Sequence, residues 1–145
     1  MQNEETDTGE KRPDPVLCNI REEWEWVKPG IEEILTEQKF LTFRPEDVYA
    51  ECLNKTAYLW CTDDGFVVTT TEIDEFNNEK IFFFWLAWAK TRGQNLIGIH
   101  QRFFADAAKD AGYHRLSVYT PVRGVERYLL MSGWERETAV YTRYL

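Results

Sequence analysis

"KIFFFWLAWAKTRGQNLIG" (80–98) decides how this chain folds. Its first ten residues are apolar almost throughout and show no alternation of polar and apolar positions. A strand with one wet face alternates with period two, whereas a strand covered on both faces does not. Residues 80–89 are therefore expected to be a central strand, with helices on both sides of the sheet. The remainder, "KTRGQNLIG" (90–98), is basic and carries glycines. It leads into "QNLIGIHQRFFADAAKDAG" (94–112), where Leu96, Ile97, His100, Phe103, Phe104, Ala107, Ala108 and Ala111 recur at helical spacing before a stop at Gly112. Residues 90–98 are thus a basic turn between a buried strand and a helix. A helix start carries unpaired N–H groups and a partial positive charge, so it binds anions. Lys90 and Arg92 put positive charge there in an otherwise acidic protein. The alternative is a solvated basic turn.

Working outward, "HRLSVYT" (114–120) alternates as a strand, "VRGVERYLLMSG" (122–133) reads as a short helix, and "WERETAVYTRYL" (134–145) as a closing strand. Upstream, "VLCNI" (16–20) has strand character. In "REEWEWVKPGIEEILTEQ" (21–38), Trp24, Val27, Ile31, Ile34 and Leu35 form one apolar stripe of a helix. Pro29-Gly30 is expected to interrupt it and split it in two. "RPEDVYAECLNK" (44–55) reads as a second helix, with Glu46 and Asp47 at its positive end and Val48, Cys52 and Leu53 facing inward. "AYLWC" (57–61) and "FVVTTTEI" (66–73) form a hairpin around Asp64-Gly65. The adjacent carboxylates Asp63 and Asp64 read as turn residues before they read as a metal or acid/base pair. His100, on an apolar stripe, reads as a packed histidine before it reads as a base.

A chain of 145 residues with 43% hydrophobic residues suits one domain, expected over 16–145, after a flexible acidic tail at 1–15. The net charge of −8 repels phosphate backbones, which argues against nucleic acid and mildly favours cationic partners. The longest apolar run is too short to span a bilayer, and the N-terminus has no apolar signal region, so no membrane association is expected and a cytoplasmic location is. Cys18, Cys52 and Cys61 show no zinc spacing and are expected to be reduced thiols; no metal is expected. The aromatic surplus reads as a bulky core before it reads as a sticky surface, and the acidic tail as a solvated end before it reads as a docking segment; the second reading of each is a surface for a protein partner.

The order of elements is a strand, two helices, a hairpin, a buried strand, a helix, a strand, a helix and a strand. This resembles the GNAT superfamily, the GCN5-related N-acetyltransferases, over roughly 16–145. The resemblance implies an α/β fold: a mixed, mostly antiparallel sheet flanked by helices, with a splayed central strand and one strand–helix–strand crossover. It implies acetyl-CoA as co-substrate, in the V-shaped cleft beside that strand. The family loop reads Arg/Gln-x-x-Gly-x-Gly/Ala. On "RGQNLIG", Arg92 and Gly93 fit; Asn95 stands at the middle Gly, Ile97 at the last small position, and Gly98 one place later. In this register Ile97 faces the phosphate, and Ile97→Gly is expected to tighten CoA binding.

The resemblance assigns acetyl-CoA binding to Leu86, Ala87 and Trp88, through strand backbone, and to Arg92, Gly93, Gln94, Asn95, Leu96, Ile97 and Gly98, through the loop. The family's proton donor to the thiolate is a Tyr four residues before a Gly-aromatic pair. Here Gly133-Trp134 is that pair, Leu129 stands at the Tyr position, and Tyr128, one place earlier, is the candidate catalytic residue. Val122 stands where the family often has Asn. Glu72 and Glu79 are the candidate bases. The expected function is transfer of an acetyl group from acetyl-CoA to a small-molecule or protein amine. The alternative is a degenerate GNAT scaffold that binds or builds, as in some phage virion components.

Overall fold

The apolar run at 80–89 is β4 (Lys80–Ala89), the fourth strand of a five-stranded sheet. The computed structural model describes residues 12–120 and 122–145. The described elements run β1 (Val16–Cys18), α1 (Ile20–Glu37), α2 (Pro45–Leu53), β2 (Ala57–Thr62), β3 (Gly65–Ile73), β4, α3 (Leu96–Ile99), α4 (Gln101–Asp110), β5 (Arg115–Val118) and α5 (Arg123–Met131). The strands lie in chain order across the sheet. The first three neighbouring pairs are antiparallel, and β4 pairs with β5 in parallel through the α3–α4 crossover.

Both faces of β4 are covered, as its lack of alternation requires. On one face α1 brings Val27, Ile31 and Ile34 against Phe66, Val68 and Leu86. On the other, Leu96, Ile97, Phe104 and Ala108 pack on Val67, Phe82 and Phe84. Phe104 sits edge-on to Phe84 and Trp60, an arrangement favoured by the ring quadrupoles.

Three expectations need correction. α1 is one helix, capped at its start by the Asn19 side chain and continuous through Pro29. A mid-helix proline costs about 3 kcal/mol. The fully buried Val27 and Ile31 on either side return about 1.5–3 kcal/mol each, which holds the helix together. Gly30 lets the helix lie flat on the sheet: a Cβ there would come within 2.7 Å of Phe66 and 2.8 Å of Trp88. Second, the helix expected over 94–112 is broken at His100, whose φ of −108° and ψ of 19° separate α3 from α4. Third, residues 134–145 form no strand. Arg115–Glu137 and Arg136–Glu126 ion pairs hold the start of this segment, and Val140, Tyr141, Tyr144 and Leu145 are exposed. Arg136 and Glu137 engage side chains instead of forming a ladder with the four-residue edge of β5.

Leu53, expected inside, is also partly exposed, at 38%. Most of the tail expected over 1–15 lies outside the described residues. Before residue 16 the chain is already packed: Pro15 is buried, and Arg12 pairs with Asp64 at 3.2 Å. Among the described residues no helix is long and apolar enough to cross a membrane.

His100 is buried, and its Nε2 lacks a hydrogen-bond partner. Burial pushes its pKa down, against a smaller upward pull from Asp64. The unfolded chain therefore takes up a proton near pH 6.5 that the folded protein resists. Stability is fully present above that pH and falls as pH drops from 6.5 towards the lower folded value. Urea unfolding at a series of pH values is expected to show this loss, and His100→Gln to flatten it. An unchanged pH slope in the variant would place the loss elsewhere.

Candidate functional site

The site is created by an irregularity in β4. Val68 pairs with Leu86, but Thr69 pairs with Phe84, so Trp85 is an extra residue on β4. Such a bulge bends the strand and increases its twist. Pairing with β5 covers only Ile81–Phe84. Beyond Phe84, β4 continues for five residues with β3 on one side and no strand on the other among the described residues. Past Phe84 this side of β4 is left unpaired, because β5 ends at Val118. Leu86, Ala87 and Trp88 lie on this free stretch, with Leu86 buried and Ala87 exposed. The Trp88 ring turns to the α1 face and stacks on Phe66.

The loop that follows is fixed at both ends. The Lys90 N–H donates to the Asp64 carbonyl at 2.7 Å, and the Asn95 side chain accepts from the Gly98 N–H at 3.1 Å. Asn95 is thus the N-cap of α3 and occupies one of its free donors. Gly93, with φ of +92° and no atom within 4 Å of a would-be Cβ, leaves an open approach to the loop backbone. Arg92 is bound to Glu37, and the Lys90 ammonium lies 5.4 Å from the Trp26 ring centre. Gln94 has a buried Oε1 without a partner.

Leu96 and Ile97 both point into the core, so Ile97 does not face the loop's open side. The register that set it against a phosphate is corrected by this packing. Gly98 has a different task. A Cβ there would lie 2.7–2.9 Å from the Tyr128 ring, so only glycine lets Tyr128 settle on α3. The Tyr128 hydroxyl donates to the Gly98 carbonyl at 3.4 Å, a long bond on a side of the ring open to solvent. The next residue, Leu129, is buried. The end of α5 fixes this rotation. Gly133 has φ of +92°, and the Trp134 N–H closes back on the Leu129 carbonyl at 3.0 Å. The Trp134 ring nitrogen then donates to Gln101 on α4. The structure therefore brings Tyr128, Gly98 and Asn95 together at the head of α3, while Arg92 turns to α1.

On the α2 side of β4 runs an open groove of about 460 Å³, lined by Asp47, Glu51, Thr70, Glu72, Phe83 and Trp85. Asp47 is held below the usual carboxylate range, chiefly by the Arg44 backbone N–H. Glu51 accepts from the Thr56 hydroxyl at 2.7 Å. Glu72 has no cationic partner among the described residues; Glu79 lies outside the groove, in the turn before β4. Asp47, Glu51 and Trp85 were not legible as groove residues, since they come from α2 and the bulge, and only the fold unites them.

Neither Cys52 nor Cys61 is built as a nucleophile. Burial pushes Cys52 up to about 11, and burial, then the neighbouring Cys18, raise Cys61 further. No group of three metal-ligating side chains gathers among the described residues. Asp63 and Asp64 form the two-residue turn of the β2–β3 hairpin.

No protein-family model matches the chain, and no curated protein is similar to it in sequence. Solved structures are similar in fold. The ribosomal-protein-alanine N-acetyltransferase of Brucella melitensis superposes with a TM-score of 0.62 at 15% identity, over 91% of this chain and 96% of that one. Glucosamine-6-phosphate N-acetyltransferase of Arabidopsis thaliana gives 0.64 at 12%, over 93% and 99%. An aminoglycoside acetyltransferase from an uncultured soil metagenomic sample, solved with sisomicin, gives 0.66 at 8%, over 91% and 95%. The chain has the GNAT fold: a mixed, mostly antiparallel sheet flanked by helices.

Proposed function

We propose that the protein is an N-acyltransferase that moves an acetyl group from acetyl-CoA to a cationic amine. The observation that carries this reading is the stretch of β4 left unpaired on one side past the Trp85 bulge, which leads through the basic loop to the head of α3, where Tyr128 docks on Gly98. Acetyl-CoA supplies an activated thioester; every other contribution comes from the chain. Arg92 and the open backbone at Gly93 suit an anionic phosphate, although the Asn95 cap leaves one fewer N–H of α3 available. The free backbone of Leu86–Trp88 offers N–H donors to a carbonyl oxygen, as an oxyanion hole does. The Tyr128 hydroxyl supplies a proton to the leaving thiolate, which departs as the thiol. Raised thiol pKa values at Cys52 and Cys61 favour direct attack by the amine over a covalent acyl-enzyme.

The acceptor side is the groove along α2, β3 and β4. Glu51 and Glu72 give it negative charge, and Phe83 and Trp85 give it aromatic walls, a combination suited to an ammonium group. Glu72 is the candidate base, directly or through one water. A non-catalytic binding role on the same fold is favoured by one feature: the loop's cation and one helix donor are already engaged by Glu37 and Asn95.

Thermal unfolding with and without acetyl-CoA separates the two. A ligand at about 100 times its Kd adds roughly 2.7 kcal/mol. At roughly 2–4 °C per kcal/mol, Tm is expected to rise by about 5–10 °C. No shift at millimolar acetyl-CoA would sink the enzyme reading.

A further inference from the structure

We infer that Glu37 is an internal competitor for the phosphate-bearing end of the donor, set against it at Arg92. The inference rests on the donor reading above. Both Arg92 terminal nitrogens donate to the same carboxylate oxygen, Oε2 of Glu37, each at 2.8 Å, across 55 residues of sequence. A guanidinium presents this pair of donors equally well to a phosphate. It cannot serve both anions at once.

The position of Glu37 gives the contact its meaning. It is the last residue of α1, whose final turn holds no basic residue. A carboxylate at a helix C-terminus meets the negative end of the helix dipole, so Glu37 is poorly placed unless a cation compensates it. Arg92 is that cation. The second cation of the loop, Lys90, is also drawn to α1, over Trp26. Both cations of the loop are thus drawn towards α1.

Exposure makes the exchange feasible. The Arg92 side chain is 80% exposed and that of Glu37 43%, so an incoming anion reaches the pair without desolvating a buried charge. Exposed pairs of this kind are weak and screened by salt. Glu37 therefore lowers donor affinity by the fraction of time it occupies Arg92 rather than blocking the site.

The test measures Kd by calorimetry for acetyl-CoA and for acetyl-pantetheine, which carries no phosphate. Glu37→Gln is expected to tighten acetyl-CoA by roughly 2–5-fold at low salt, with the gain shrinking at high salt. Acetyl-pantetheine is expected to be unaffected. Arg92→Ala is expected to weaken acetyl-CoA, and in that background Glu37→Gln is expected to change nothing. Wild-type binding with no gain in Glu37→Gln overturns this inference and leaves the donor reading standing. A gain that persists with acetyl-pantetheine, or without Arg92, also overturns it. Failure of every variant to bind acetyl-CoA removes the donor reading and this inference with it.

Discussion

Tyr128→Phe is expected to lower kcat for acetyl transfer by about 100-fold, at the lower end of what a positioned acid contributes. The Kd for acetyl-CoA should stay within about two-fold, because the ring remains seated on Gly98 and only the hydroxyl is lost. Stability should change by less than about 1 kcal/mol, since the lost bond to the Gly98 carbonyl is long and exposed. A structural role and a proton-donating role both permit some loss of rate, so the donor must be varied as well. An acetyl thioester of an acidic aromatic thiol expels its arylthiolate without needing protonation. With that donor the variant should recover most of the lost rate relative to wild type. Equal loss with both donors would show that Tyr128 positions α3 and does not protonate the leaving group. A variant as fast as wild type with acetyl-CoA would remove Tyr128 from the reaction altogether.

The sequence carried β4 because an unbroken apolar run has a single economical placement, between two covered faces. It carried the strand-to-helix turn for the same reason, as the turn follows directly. What it hid were consequences of packing between distant segments. Pro29 reads locally as a break, yet the burial of Val27 and Ile31 outweighs the proline. Residues 134–145 read as a strand, but β-propensity expresses fit to a neighbouring surface, and β5 offers an edge of only four residues. The Tyr128 offset was readable as an irregularity in the spacing before Gly133. Its resolution required the closure of α5 by Trp134, which points Leu129 inward and leaves Tyr128 to α3. The Glu37–Arg92 pair and the α2 wall of the groove left no trace in local pattern, because each joins segments that only the sheet brings together.

Ile97→Gly is the sharpest case, because the sequence register and the structure demand opposite outcomes. With Ile97 against a phosphate, a glycine would open the cradle and tighten binding. In the structure Ile97 is 7% exposed and packs with Val67, Phe82, Phe84 and Phe104. Removing a buried isoleucine costs about 2–5 kcal/mol, and a glycine in the first turns of the crossover helix adds up to about 1 kcal/mol. The sum of about 2–6 kcal/mol reaches the whole stability of many domains. Urea unfolding should show a large fall in midpoint with little change in slope, and acetyl-CoA binding should weaken, because α3 carries both the Asn95 cap and the Tyr128 seat at Gly98. Ile97→Val, which keeps the core filled, separates packing from access: it should cost about 0.5–1.5 kcal/mol and leave Kd unchanged. A stable Ile97→Gly protein that binds acetyl-CoA more tightly would restore the phosphate-facing register and refute the packing seen here.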